Sequence, residues 1–218
     1  MVEAKPIVVI TGVSGYIGAH VCKKFIDDGG FRVIGTVRDK DNAEKVAPLK
    51  KAFGEDLELR SANLLDAASM EKAVEGATYL VHTASPVAMS FATPEEVIKP
   101  ALQGTIAAVE AAHKHGVKRV VITSSVAAVS TYLDPIPDPI TEENWANEVY
   151  MKENEKDTKC SYAISKTRAE RAAWAYQASM PENERFDLCT ICPGLVLGKP
   201  VLEYGFASGR FMNMAMEG

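Results

Sequence analysis

Apolar and polar positions alternate in blocks along the chain. IVVIT (Ile7 to Thr11) is an unbroken apolar run, and Tyr16 to Asp28 has helical spacing. FRVIGTV (Phe31 to Val37) reads as a second strand, followed by a helix from Asp41 to Ala52. LELRSA (Leu57 to Ala62) and a short helix from Ala67 to Val74 come next. TYLVHTA (Thr78 to Ala84) precedes a long helix from Pro94 to His115, and VKRVVITSS (Val117 to Ser125) is a fifth strand. A Pro- and acid-rich stretch from Asp134 to Asp157 is expected to be a surface loop over the edge of the site, and its TEENW segment suits a helix start. A strong helix then runs from about Cys160 to Ser179, and FDLCTIC closes the pattern as a buried strand. Short apolar runs bounded by turn residues, with helices between them, predict a parallel sheet covered on both faces. Right-handed crossovers make it doubly wound.

Composition narrows the choice. With 218 residues, 47% of them hydrophobic, the chain can bury a large core. A net charge of -5 opposes nucleic acid as a general partner, since phosphate binding wants a basic field. No apolar run is long enough to span a bilayer, and IVVIT is too short for a signal peptide, so no membrane partner is expected. The four cysteines are read as reduced in a cytoplasmic protein.

The chemistry starts at TGVSGYIG (Thr11 to Gly18), which joins the first strand to the first helix. Glycines at 12, 15 and 18 let the backbone take positive φ and let a phosphate come close. The helix that follows offers free N–H groups and a positive dipole end to a pyrophosphate. At the end of the second strand stands Arg38, whose planar fork suits a 2′-phosphate, and Lys45 adds a second charge. This favours NADP(H), while Asp39 keeps NAD open as the alternative.

Tyr162 and Lys166 are four apart and share a helix face. A nearby ammonium favours the phenolate, so the pair is expected to form a general acid with a lowered pKa. The lysine is also placed to hold the nicotinamide ribose. Ser124 and Ser125 close the fifth strand at its carboxyl end, where such sheets bind ligands. A serine hydroxyl there can bond a carbonyl oxygen as charge develops on it. Cys189 and Cys192, on the sixth strand, are read as structural rather than redox-active. His82 is read as structural, His113 and His115 as solvated, and no cluster suggests a metal.

The motifs TGVSGYIG, TVRD with Lys45, VHTASP, VITSSVAAV, YAISKTRAE and CPGLVLGKP together resemble the extended short-chain dehydrogenase/reductase family. Within it, they are similar to the dihydroflavonol 4-reductase-like group of NADPH-dependent carbonyl reductases. The resemblance implies a Rossmann domain over residues 1–199 and the start of a substrate lobe over 200–218, largely missing here. It implies a triad of Ser125, Tyr162 and Lys166, reducing a ketone or aldehyde by hydride transfer. The implied cofactor contacts are Thr11, Gly12, Ser14, Gly15, Tyr16, Ile17 and Gly18 of the turn, then Arg38 and Lys45. Asn63 and Leu64, then Thr83, Ala84 and Ser85, then Pro193, Gly194, Leu195 and Val196 complete the set, with Tyr162 and Lys166.

One departure bears on the adenine contact and two on substrate. Asn63-Leu64 stands where the family often has Asp-Leu after the third strand. Ser130 falls near the asparagine that reads the flavonoid ring in dihydroflavonol reductases. TKCSYAISK replaces the Asn-Trp-Tyr-Cys-Tyr form of cinnamoyl-CoA reductases. The pattern is closer to the broad aldehyde and ketone reductases of the group. An NADP(H)-binding form without turnover is the alternative, and oligomeric state is left open.

Overall fold

A computed structural model describes residues 4–86, 93–130, 139–153 and 158–203. The strands are β1 (Ile7–Thr11), β2 (Arg32–Val37), β3 (Leu57–Ser61), β4 (Tyr79–His82), β5 (Arg119–Thr123) and β6 (Asp187–Ile191). The helices are α1 (Tyr16–Asp28), α2 (Ala43–Phe53), α3 (Ala67–Val74), α4 (Glu95–Lys114), α5 (Val126–Val129), α6 (Glu148–Glu153) and α7 (Thr158–Ser179). All strand pairs are parallel, in the order β3-β2-β1-β4-β5-β6. The expected doubly wound sheet is present.

Side chains of β1 alternate between the two faces, as strand geometry requires. Val9 joins Ile34, Leu80, Val120 and the alanines of α4 in one core. Val8 and Ile10 face the other, with Val33, Val37, Val46 and Leu49. Each such side chain, fully buried, contributes roughly 1.5–3 kcal/mol. Small residues on α4 (Ala107, Ala108, Ala111, Ala112) let it pack against α7 on the first face.

The strand order places the topological switch between β1 and β4. The chain leaves β1 toward β2 and β3, then returns to the other side at β4. Ligands of such sheets bind in the crevice beyond the carboxyl ends of the strands at that point.

Two sequence expectations need correction here. β6 is not a buried strand: it is the sheet edge among the described residues, and alternate positions face outward, with Ile191 52% exposed. A strand's apolar character does not reveal whether a neighbour covers its second face. TEENW does not start a helix. Asn144 Oδ1 accepts from the N–H of Thr141 at 2.7 Å, making a local turn. The helix starts later, where Asn147 Oδ1 accepts from the N–H groups of Val149 and Tyr150 at the head of α6. Residues 131–138 and 154–157, which include parts of the acidic stretch, and 204–218, most of the expected second lobe, lie outside the described residues.

Candidate active site

The glycine turn is built from close approaches. Gly12 has φ +72°, and a Cβ on it would stand 2.9 Å from the Cα of Ala84 beyond β4. Gly15 N–H donates to Gly12 O at 2.9 Å, closing the turn. A Cβ on Gly18 would collide with the Gly12 carbonyl and stand 2.8 Å from Thr83 Oγ1. The glycines at 12 and 18 thus seat α1 against both the turn and β4. Gly15 is the N-cap of α1 and supplies no side-chain acceptor, and no acidic residue lies in the first turn. A helix start of that kind suits an anion. Ser14 and Gly15 are exposed at the rim, while Tyr16 and Ile17 are half-buried.

Thr11 ties this turn to β4. Its hydroxyl oxygen accepts from the N–H groups of Thr83 and Ala84, each at 3.1 Å. Its own proton therefore goes to Nδ1 of His82, 2.9 Å away. That fixes His82 as the acceptor at Nδ1. Burial pushes its pKa down to about 4, and the Lys166 charge pushes the same way. Thr83 Oγ1 donates to the Thr11 carbonyl at 2.5 Å. The structural reading of His82 holds, and Thr83, Ala84 and Ser85 line the crevice half-buried.

At the far end, Arg38 projects from β2, exposed and without a partner among the described residues. Asp39 is engaged locally: its carboxylate accepts from Asp41 N–H at 2.9 Å. Lys45 is exposed on the first turn of α2, whose N-cap Asn42 accepts from its N–H. Asn63 Oδ1 accepts from Leu65 N–H at 3.1 Å, which leaves the amide NH₂ facing outward chemistry. The Leu64 side chain instead packs on Gly104 of α4 and the core, so only its backbone remains for a ligand.

Ser125, Tyr162 and Lys166 converge. Ser125 follows β5 and caps α5, its Oγ accepting from Ala127 N–H at 3.2 Å. Ser125 also acts on the Tyr162 hydroxyl, where it favours the phenolate. Ser124 turns the other way and donates to the Glu170 carboxylate. The two serines therefore have different surroundings. Lys166 is buried; its Nζ donates to Thr123 O at 3.1 Å and lies 5.9 Å from the Tyr162 ring centroid. The expected lowering of the Tyr162 pKa is not found. Burial raises it, and Ser125 offsets this only in part. Lys166 itself is pushed down to about 8 by burial, opposed by Glu170 and Cys192. One of the three ammonium protons of Lys166 goes to the Thr123 carbonyl, and Lys166 is not among the groups that shift Tyr162.

Residues after β6 form the remaining wall. Pro193 O accepts from Val126 N–H at 3.1 Å, beside Ser125. Gly194 and Leu195 are exposed and Val196 half-buried. The segment then reaches α1, where Lys199 O meets the His20 ring at 3.1 Å. It spans the crevice from the triad to the glycine turn. A cavity of about 740 Å³ adjoins the triad, with Val126, Ser130, Trp145, Glu170 and Trp174 among its walls.

Other expectations resolve as follows. Cys189 is exposed and Cys192 half-buried, and both are free thiols. His113 is not simply solvated: its Nδ1 pairs with Tyr176 OH at 3.0 Å, and His115 Nε2 is buried without a partner. Among the described residues no metal-ligating cluster occurs, and no helix is long and apolar enough to cross a membrane.

The sequence profile of the NAD dependent epimerase/dehydratase family matches residues 8–214. The chain belongs to this family. It is 37% identical over 203 residues to tetraketide alpha-pyrone reductase 1 of Arabidopsis thaliana, covering 91% of this chain and 60% of that one. It is 37% identical over 213 residues to dihydroflavonol 4-reductase of Hordeum vulgare, covering 96% and 58% respectively. The yeast methylglyoxal/isovaleraldehyde reductase Gre2, solved in complex with NADPH, superposes with a TM-score of 0.77 at 25% identity, over 89% of this chain and 59% of that one. This family member thus spans about 60% of the length of the curated relatives it matches.

Proposed function

We propose that this chain binds NADP(H) in the crevice between β1 and β4 and carries the catalytic half of a carbonyl reductase. The observation that carries the reading is the meeting of the end of β5 with α7: buried Lys166 reaches the Thr123 carbonyl, two residues before Ser125, and stands 5.9 Å from the Tyr162 ring, while α1 offers an uncapped helix start. The residues present fit the dinucleotide. The turn from Thr11 to Gly18 has no acid to repel a pyrophosphate, and Arg38 offers an unpaired fork at the ribose end. Asp39, the residue that would favour NAD, has its carboxylate committed to its own turn.

When bound, reduced nicotinamide supplies a hydride to a ketone or aldehyde carbon. Tyr162 gives its proton to the carbonyl oxygen, and Ser125 donates a hydrogen bond to the same oxygen. An acid for reduction must hold its proton until charge develops, and burial keeps Tyr162 protonated at neutral pH. The Lys166 ammonium then stabilises the phenolate left behind. Such a positioned acid contributes roughly 10²–10⁴-fold. Relatives named as a tetraketide alpha-pyrone reductase, a dihydroflavonol 4-reductase and a methylglyoxal/isovaleraldehyde reductase support the substrate class. Purified protein with NADPH and a panel of aldehydes and ketones tests the reading. Turnover that Tyr162→Phe abolishes is expected; none in the parent protein would refute it.

Binding of NADP(H) without turnover is the second reading. It is favoured by the apolar surface exposed at Ile191, Leu195 and Leu197, at the end of β6 and just after it. Tight NADPH binding with no turnover on any carbonyl would select it.

A further inference from the structure

Among the described residues Glu170 is the only buried carboxylate, and Lys166 is the only buried lysine or arginine. They stand four apart on α7, one turn from each other. The reaction outlined above uses Lys166 and leaves Glu170 without a task.

Its hydrogen bonds define one. Glu170 Oε2 accepts from Ser124 Oγ, and Oε1 accepts from Thr190 Oγ1 at 2.9 Å. Trp174 Nε1 donates to Oε1 at 3.4 Å, and Cys192 Sγ lies 3.7 Å from Oε2. One carboxylate therefore ties α7 to the end of β5 and the end of β6. Ser124 is the residue before Ser125, and its N–H is itself bonded to Ile191 O at 2.8 Å. Cys192 precedes Pro193, whose carbonyl holds Val126. Both neighbours of Ser125 are thus anchored through groups that Glu170 grips directly or through one residue.

We propose that Glu170 is a positioning residue for this site: its carboxylate fixes the strand ends that carry Ser125 and supplies the negative charge that keeps buried Lys166 an ammonium. The proposal rests on the reductase reading for its consequence in catalysis, and for its effect on Lys166 on the burial of both groups one turn apart on α7. A buried ammonium without a counter-charge tends to shed its proton. The titratable groups that act on Lys166 or face it are Glu170 on its own helix, Cys192 beyond β6, His82 of β4 and Tyr162. His82 is neutral above its lowered pKa, and burial pushes the Tyr162 hydroxyl and the Cys192 thiol up so that both hold their protons at neutral pH, which leaves the Glu170 carboxylate to supply the charge. The burial-lowered pKa of Lys166, about 8, leaves little margin at neutral pH.

The test is the titration of Lys166 in the cofactor-free protein, followed by NMR of isotope-labelled lysine and assigned by the signal lost in Lys166→Arg. In Glu170→Gln the midpoint is expected to fall by about one pH unit or more, tenfold in the protonated fraction above it. In Glu170→Asp, which keeps the charge, it should stay near the parent value. An unchanged midpoint in folded Glu170→Gln overturns the proposal. Should Glu170→Gln not fold, Ser124→Ala removes a donor and leaves the carboxylate: its Lys166 midpoint should hold or rise, and a fall overturns the proposal. In the turnover assay the alkaline limb of kcat/KM should move to lower pH in Glu170→Gln. A loss equal at every pH would mark a merely structural role and contradict the proposal. The reductase reading fails separately, by absent turnover in the parent protein, which leaves the NMR titration untouched.

Discussion

The Thr11 hydroxyl donates to Nδ1 of buried His82 at 2.9 Å while accepting from two backbone N–H groups beyond β4. This one side chain joins the two strands on either side of the switch point. Thr11→Val would leave Thr83 N–H, Ala84 N–H and His82 Nδ1 without that partner. Each buried unsatisfied group costs roughly 1–3 kcal/mol. A stability loss of about 2 kcal/mol or more is expected by urea denaturation, with Thr11→Ser retaining most of it. A loss below about 0.5 kcal/mol, the scale of an ordinary surface change, would contradict the assignment.

His82 also sets a pH dependence. Its folded pKa is depressed to about 4 from the ordinary histidine value of 6.5. In the unfolded chain the ring takes a proton as pH falls through that upper value, while the folded chain resists until near the lower one. Stability tied to neutral His82 is present above the upper value and lost as pH drops toward the lower. The full window corresponds to roughly 3–3.5 kcal/mol. Denaturation curves across that range should show the acid loss in the parent and a shallower one in His82→Asn. Parallel curves would contradict it.

Arg38 should set cofactor choice. It is exposed and unpartnered among the described residues at the end of β2, while Asp39 is held in its own turn. Charge-assisted bonds of guanidinium to phosphate are worth about 1.5–3 kcal/mol. Arg38→Ala is therefore expected to weaken NADPH binding by roughly tenfold or more, with NADH binding little changed. Equal losses for both in a fluorescence titration would show that Arg38 does not read the 2′-phosphate.

Much of this was legible in the residues. The bounds of α1 and α3 follow from pattern alone, since Gly15 and Asp66 mark their starts. The tight turn at Gly12 and the close approach at Gly18 are legible because positive φ at the first and close packing at both leave little alternative to glycine. Ser125, Tyr162 and Lys166 were legible because strand end and helix spacing bring them together. What escaped is tertiary. The outward face of β6 depends on which strand covers it. The raised pKa of Tyr162 depends on how deeply the ring is buried. Glu170 had a signal that was overlooked: Tyr162, Lys166, Glu170 and Trp174 recur at intervals of four along α7. Spacing showed a shared face, but only the fold shows that β5 and β6 end against it.

The most direct test of the central claim is hydride tracing. NADPH deuterated on one face of the nicotinamide is incubated with protein and a carbonyl substrate, and the product alcohol is analysed by mass spectrometry. Deuterium is expected at the carbinol carbon from one face of the cofactor, at a rate cut by roughly 10²-fold or more in Tyr162→Phe. NADPH binding in that variant should be retained. Label transfer at the parent rate in Tyr162→Phe, or no transfer by the parent protein despite bound NADPH, would contradict the account.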